Sequence, residues 1–170
     1  PISFEVFADD FGEMERQALK ITSWGENVYV KIPITNTKGE SSFPLIQRLL
    51  VRGIKLNITA VCEPEQLRGI PSGEMIISVF AGRIADTGVD PIPMMKIAKM
   101  YCEIIGAELL WASPREVLNI YQAEEVADII TCTPDLIKKY EQLKDKNLTE
   151  FSLETVKMFY EDGKKAKFKL

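Results

Sequence analysis

The chain has 170 residues, 46% of them hydrophobic, which suffices for one sizeable core and is too little for two comfortable domains. Its 21 basic and 25 acidic residues leave a net charge of −4, so the whole chain would not attract nucleic acid or an anionic membrane. It contains no histidine, which excludes Ser-His-Asp catalysis, Cys-His catalysis and every metal site that uses histidine.

Short runs rich in β-branched and aromatic residues alternate with helical patterns along the chain. The predicted strands are residues 2–7, 28–32, 55–61, 75–80, 107–112 and 126–132. The predicted helices are residues 10–23, 41–51, 64–70, 91–105 and 115–122, and a further helix follows at 135–142. Residues 113–116, in the order Ser-Pro-Arg-Glu, are typical of a capping box with proline at the first helical position. Strict βα alternation predicts a parallel sheet.

An open doubly wound sheet and a closed barrel both fit this alternation, and the alternate side chains of the strands favour the barrel. One set is apolar and suits a cover of helices, whereas the other is mixed and becomes polar toward the strand ends. The mixed set includes Ser3, Glu5, Tyr29, Lys31, Asn57, Thr59, Ser78, Phe80, Trp111 and Ser113. We therefore predict an α/β fold of the (β/α)8 TIM-barrel type, packed below and open where the strands end.

The six predicted strands are fewer than the eight that close such a barrel. Six strands alone would leave two parallel edges with unpaired backbone groups. We expect one barrel domain over residues 1–170 that covers about strands 3 to 8 plus a C-terminal helix. Either two βα units precede Pro1, or another element covers the gap.

Lys31 lies near the end of its strand and belongs to the mixed set, which would direct it into the barrel. Barrel side chains around an amine desolvate it, and desolvation favours the neutral form that attacks carbonyl groups. From the pattern alone, a surface lysine at a strand end is the alternative.

Five segments resemble the transaldolase family, a group of class I Schiff-base enzymes that includes the small fructose-6-phosphate aldolases. They are ISFEV (2–6), VKIP (30–33), LNIT (56–59), SVFAGRIAD (78–86) and ASPR (112–115). The resemblance extends to about Tyr140 and aligns Pro1 with the third strand of the family's barrel. The family's catalytic aspartate on the first strand and its Thr-Asn-Pro segment on the second have no match in this sequence.

The resemblance implies a role for several of the inward residues. Lys31 matches the lysine that forms the Schiff base, while Glu5 and Thr59 match the pair that holds a catalytic water and shuttles protons. Asn57 and Ser78 match positions that line the sugar, although a polar layer inside the barrel is an equally open interpretation of these two.

Three further residues match the family's phosphate-binding positions, namely Arg83, Ser113 and Arg115. Phe80 matches a position that lines the substrate. Phe80 and Glu5 are transaldolase-like, since the aldolase branch has tyrosine and glutamine at these places, whereas the short loops are more typical of the aldolases.

The implied function is that of a cytoplasmic transaldolase that needs no cofactor and no metal. Lys31 would attack a ketose phosphate, retain its dihydroxyacetone unit and pass this unit to an aldose phosphate. Small sugar phosphates are thus the expected partners, with no nucleic acid and no membrane. The alternatives are an aldolase that releases dihydroxyacetone and a non-catalytic sugar-phosphate-binding barrel.

The C-terminal segment has a helical pattern over residues 151–160, with Phe151, Thr155 and Phe159 at i, i+4 and i+8. A basic tail follows at Lys164, Lys165, Lys167 and Lys169. Because small members of the family form ring-like oligomers, the resemblance implies a homo-oligomer with Phe151, Met158 and Phe159 in the subunit contact. The alternative is a helix that caps its own barrel.

Overall fold

The protein is described by a computed structural model over residues 1–167, so that Lys169 of the expected basic tail lies outside the described residues. The chain divides into two compact units, Pro1–Cys132 and Thr133–Leu170. The expectation of a single barrel domain over the whole chain therefore stays a prediction.

Within residues 1–167, one six-stranded sheet forms, and all of its neighbouring strands are parallel. Its strands are β1 (Ile2–Glu5), β2 (Val28–Pro33), β3 (Leu56–Val61), β4 (Met75–Val79), β5 (Glu108–Trp111) and β6 (Ile129–Ile130). They follow one another in the sheet in chain order. This order lacks the reversal that defines a doubly wound sheet, and it is the order found in barrels.

The helices of the first unit are α1 (Phe11–Thr22), α2 (Phe43–Val51), α3 (Ala81–Asp86), α4 (Ile92–Ile105) and α5 (Leu118–Val126), with a 3-10 turn at Pro64–Leu67. The second unit contains α6 (Pro134–Leu143) and α7 (Leu148–Ala166). No helix in the described part of the chain is long and apolar enough to cross a membrane.

Local sequence signals explain where α1 begins and which face it buries. Asp10 caps the helix, because its carboxylate accepts a hydrogen bond of 2.9 Å from the backbone N–H of Glu13. Met14, Ala18 and Ile21 recur at helical spacing and are buried in the core. The predicted helix 10–23 is thereby confirmed to within one residue at each end.

Several predicted elements differ from the structure, among them the helix predicted at 115–122, which is α5 at Leu118–Val126. The helix predicted at 64–70 is only the 3-10 turn Pro64–Leu67, and the strand predicted at 126–132 shrinks to β6 because Val126 still belongs to α5. The capping box at Ser113 is also wrong. Ser113 has a left-handed φ of 58°, which turns the chain away from a helix, and α5 begins only at Leu118.

The sheet is curled, and one pair of side chains demonstrates the curvature. In a flat sheet β1 and β3, with β2 between them, would lie about 9.6 Å apart. Yet Asn57 Nδ2 on β3 lies 3.0 Å from Ser3 Oγ on β1. The side chains therefore converge over β2, which makes this face of the sheet concave.

The two faces of the sheet bury different cores. The larger core lies between the sheet and the helices α1, α2, α4 and α5. A smaller cluster on the concave face contains Ile76, Leu110 and Ala112. Trp111 is fully buried in the larger core, so the prediction that it lies on the same inner side of the sheet as Lys31 is wrong. Side-chain alternation is fixed only within a strand, and the loop before β5 sets its phase.

Candidate active site

A pocket of about 470 Å³ lies on the concave face of the sheet. Its lining residues are Pro1, Ile2, Ser3, Lys31, Asn57, Ile76, Ser78, Phe80, Leu110, Ala112, Ser113, Ile129 and Thr131. Apolar side chains from β1, β4, β5 and β6 share this lining with polar side chains from β1, β2, β3 and β4. A mostly apolar hollow with a few convergent polar groups is the usual form of a small-molecule site.

Lys31 brings an amine to this pocket from β2. Its side chain is only 26% exposed, and its Nζ lies 3.9 Å from Glu5 Oε2. The sheet itself sets this arrangement, because Lys31 pairs in register with Glu5 on one side and with Asn57 on the other. An amine thus lies between a carboxylate that can exchange protons and an amide that can hydrogen bond a ligand.

A hydrogen-bonded chain of side chains runs beside Lys31. The Ser78 hydroxyl donates to Asn57 Oδ1 at 2.7 Å, and Asn57 Nδ2 donates to Ser3 Oγ at 3.0 Å. Asn57 and Ser78 are almost fully buried, and Ser3 is half-buried. Buried polar groups without partners are costly, so this chain stabilises a polar surface in an otherwise apolar hollow.

Phe80 follows β4 and contributes an aromatic face to the pocket wall. The guanidinium carbon of Arg83 lies 5.0 Å from the centre of this ring, within the range of a cation–π interaction. Arg83 itself is exposed and does not line the pocket. Burial raises the pKa of the nearby Cys62 thiol, and the charge of Arg83 opposes this only in part, so Cys62 is not an activated nucleophile.

Ser113 lies where the chain leaves β5, and it lines the pocket. Its backbone packs against Gly82, since a Cβ added to Gly82 would lie 1.5 Å from the Ser113 carbonyl oxygen. Only glycine permits this approach. The left-handed φ of 58° at Ser113 is uncommon for a residue with a side chain and marks local strain at the pocket wall.

Arg115 is held outside the pocket lining by an ion pair. Its Nε and Nη2 donate to the two carboxylate oxygens of Asp86 at 3.2 and 2.6 Å. The expected helix N-terminus is not at this residue. Instead, the Asn119 side chain accepts hydrogen bonds from the backbone N–H groups of Arg115 and Glu116, at 2.8 and 3.1 Å.

Thr59 is buried at the end of β3 and does not line the pocket. Its Oγ1 has no hydrogen-bond partner among the described residues. The register between β3 and β4 shifts between Ile58 and Val61, and Ala60 has a left-handed φ of 66°. This irregularity is of the kind that proteins use to redirect side chains at functional sites.

The structure thus brings together five of the nine residues that the sequence singled out, and these five are Lys31, Asn57, Ser78, Phe80 and Ser113. Glu5 adjoins them through Lys31, whereas Thr59, Arg83 and Arg115 lie outside the lining. Sequence reasoning missed Thr131 and gave no site role to Ser3. Strand alternation predicts Ser3 on the inner side of the sheet, so the sequence did indicate that Ser3 could line the pocket.

The pocket runs along the concave face of the sheet, and part of its lining, Phe80, Ser113 and Thr131, follows β4, β5 and β6, where parallel α/β proteins bind ligands. The chain belongs to the transaldolase/fructose-6-phosphate aldolase family, whose model matches residues 1–170.

Several named relatives are similar to the chain over almost its whole length. The probable transaldolase of Nitrosopumilus maritimus is 31% identical over 172 residues, covering 98% of this chain and 72% of the relative. That of Bdellovibrio bacteriovorus is 32% identical over 172 residues, covering 99% and 76%. A probable transaldolase 2 of Listeria monocytogenes is 32% identical over 157 residues, covering 89% and 70%.

Among the described residues, no group of three or more cysteine, aspartate or glutamate side chains lies close enough together to hold a metal ion. Lys31 contributes an amine side chain to the pocket lining.

Proposed function

We propose that the protein is a transaldolase that moves a dihydroxyacetone unit from a ketose phosphate to an aldose phosphate through a Schiff base on Lys31. The observation that carries this proposal is the amine of Lys31 in the pocket, 3.9 Å from the Glu5 carboxylate. The names of the relatives, all probable transaldolases, support the same reaction.

In the proposed reaction the Lys31 nitrogen attacks the ketose carbonyl carbon, and the carbonyl oxygen takes up two protons, one from the nitrogen and one from an acid, and leaves as water. The hydroxyl group on the fourth sugar carbon then gives its proton to water as the bond between the third and fourth carbons breaks, so that the fourth carbon becomes an aldehyde. The electrons of the broken bond move into the iminium to give an enamine, and the aldose phosphate departs. The enamine carbon adds to the acceptor aldehyde, and water finally releases the product from Lys31. Glu5 can exchange the protons of the amine and of the water, with Thr59 holding that water.

The remaining residues have proposed roles in binding. Asn57 and Ser78 would bind hydroxyl groups of the three-carbon unit, because both are neutral, polar and in the pocket. Arg83, Ser113 and Arg115 would bind the phosphate group. Both arginines lie beyond the lining, which suits a phosphate at the far end of an extended sugar.

The identities of Phe80 and Glu5 support a transaldolase rather than an aldolase, because the aldolase branch of the family has tyrosine and glutamine at these places. Phe80 lines the pocket, and Glu5 lies beside Lys31. Release of free dihydroxyacetone without an acceptor sugar would instead favour the aldolase. A pocket that binds sugar phosphates but never forms an adduct would favour a binding protein.

We further propose that β1 to β6 correspond to the third to eighth strands of a (β/α)8 barrel. The chain order of the strands and their curl support this correspondence. The edges of β1 and β6 that have no partner strand in the described part of the chain are where the remaining strands of a barrel would pair.

The test is borohydride reduction of the protein in the presence of fructose 6-phosphate, followed by mass analysis of the modified lysine. We expect a three-carbon adduct on Lys31 in the wild-type protein. Lys31→Arg should form no adduct and should lose turnover by a factor of at least about 10³, because a guanidinium stays charged and is not a nucleophile. Lys55→Arg is the matched control, since Lys55 does not line the pocket and its Nζ donates a hydrogen bond of 2.6 Å to the Glu26 carbonyl oxygen. Turnover in a folded Lys31→Arg protein would overturn the proposal.

A further inference from the structure

The hydroxyl group of Ser3 accepts one hydrogen bond, but its O–H donor is unused among the described residues. Its oxygen accepts from Asn57 Nδ2, while its own hydrogen has no acceptor among the described residues. A serine hydroxyl donates one hydrogen bond in addition to those that it accepts. Ser3 lines the pocket, so this donor is available to a ligand.

The orientation of the Asn57 amide follows from the same chain. Ser78 donates to Oδ1, which identifies that atom as the acceptor and leaves Nδ2 as the donor toward Ser3. Because Asn57 is almost fully buried, removal of the Ser3 oxygen would leave a desolvated N–H without a partner. Ser3 therefore holds the amide in place.

The position of Ser3 relative to the amine decides which part of a ligand it would meet. Lys31 pairs in register with Asn57, whereas Ser3 pairs with Tyr29, two residues before Lys31 on β2. The hydrogen bond from Asn57 to Ser3 thus crosses β2 between the positions of Tyr29 and Lys31, and all three of Ser3, Lys31 and Asn57 line the pocket. A ketone carbon bound to Lys31 would hold its neighbouring hydroxymethyl groups next to this hydrogen bond.

We infer that Ser3 determines specificity for the dihydroxyacetone unit. Its hydrogen donates to a hydroxymethyl oxygen of the bound ketone, and its oxygen fixes the Asn57 amide that binds the same unit. This inference rests on the proposed Schiff base at Lys31. Together with Asn57 and Ser78, Ser3 lets the pocket distinguish a hydroxylated ketone from one without hydroxyl groups.

The test compares two ketones on the full chain, dihydroxyacetone and acetone, which has no hydroxyl group. The measurement is the ketone concentration that gives half-maximal borohydride-trapped adduct on Lys31. Ser3→Ala should raise this concentration about tenfold for dihydroxyacetone, the effect of one lost hydrogen bond with an unpaired partner. The value for acetone should stay within about twofold.

A double substitution separates the two functions of Ser3. If Ser3 acts partly by holding Asn57, the effects of Ser3→Ala and Asn57→Ala on dihydroxyacetone will be smaller together than the product of the single effects. Ser152→Ala is the control, since this serine lies exposed on α7 and should change neither ketone. Ser3→Cys keeps the size of the side chain and gives the same comparison if Ser3→Ala does not fold.

The outcomes distinguish this inference from the proposed function. An equal change for dihydroxyacetone and acetone, or no change for dihydroxyacetone, would overturn the role of Ser3 while an adduct on wild-type Lys31 keeps the Schiff base. No adduct in the wild-type protein with either ketone would overturn the proposed function itself.

Discussion

Arg83 lies three residues after Phe80, and Arg115 lies two residues after Ser113. Phe80 and Ser113 both line the pocket, but the two arginines have different contacts. Arg83 lies over the ring of Phe80, which leaves its outer N–H groups available to an anion. Arg115 uses one edge of its guanidinium for Asp86, so the opposite edge is the one that can bind a phosphate. Because both guanidinium groups keep N–H donors for an anion, replacing either arginine tests the proposed phosphate site.

Replacing Arg83 or Arg115 with alanine should raise KM for phosphorylated sugars by about ten- to a hundredfold, equivalent to about 1.5–3 kcal/mol for each charge-assisted contact. KM for dihydroxyacetone should change little, because it carries no phosphate. Steady-state kinetics with both substrates measures the ratio.

Asp86→Asn is the matched control for Arg115→Ala. It weakens the ion pair but keeps the positive charge of Arg115 beside the pocket. If Arg115 binds phosphate, Asp86→Asn should not reproduce the rise in KM. The same loss in both variants, or equal losses for both substrates, would mean that Arg115 has only a structural role.

At the scale of elements, Asp128 connects α4 to the sheet from the loop between α5 and β6. Its carboxylate pairs with Lys99 on α4 and accepts a hydrogen bond of 2.8 Å from the backbone N–H of Leu109 on β5. Burial by itself raises the pKa of Asp128, but the hydrogen bonds from Lys99 and Leu109 outweigh it and leave this pKa below its ordinary value. Asp128 also raises the pKa of Lys99.

The sign of these shifts predicts the pH range in which the contact stabilises the fold. A carboxyl group whose pKa is lowered by folding stabilises the native state above its ordinary pKa, and the stabilisation is lost as the pH falls through the folded value. Asp128→Asn should therefore lower the free energy of unfolding at pH 7 by about 1 kcal/mol, since both side chains of the pair are about one-third exposed. The difference from wild type should shrink below about pH 4.

Thermal unfolding between pH 3 and pH 7 measures this difference. Glu141→Gln removes an exposed ion pair with Lys144 at the C-terminal end of α6 and should leave the melting temperature unchanged across the range. A difference between Asp128→Asn and wild type that stays constant down to pH 3 would contradict the electrostatic assignment.

At the scale of the whole molecule, α7 has apolar side chains that the described chain does not bury. Phe151, Met158 and Phe159 are 44%, 52% and 64% exposed. Within the described part of the chain, no residue of α7 is buried. A helix of this kind needs an apolar partner, and we propose that a second subunit supplies it.

Substituting serine for Phe151, Met158 and Phe159 together should reduce the molar mass in solution to that of a smaller assembly, with the helix content unchanged. Light scattering measures the mass, and circular dichroism measures the helix content. Lys157→Ala changes an exposed polar residue of the same helix and should not alter the mass. A monomeric wild-type protein would remove the assembly proposal.

The sequence by itself determined the order and type of most elements, because these depend on neighbouring residues. Alternating and helical periodicities located the strands and most of the helices, and Asp10 marked the start of α1. Alternation within β1 to β4 also placed Ser3, Lys31, Asn57 and Ser78 on one side, where they line the pocket. Five short segments indicated the family, which the comparison over residues 1–170 confirmed.

Only the tertiary structure decided how strands and loops that are distant in sequence contact each other, because no local sequence pattern predicts such contacts. The phase of β5 depends on the turn before it, and this places Leu110 and Ala112 at the pocket and Trp111 in the larger core. The close contact of Gly82 with the Ser113 backbone and the left-handed turn at Ser113 replaced the expected helix cap. Curvature brought Asn57 to Ser3 across β2, because a hydrogen bond between strands that are not neighbours needs the bend of the complete sheet.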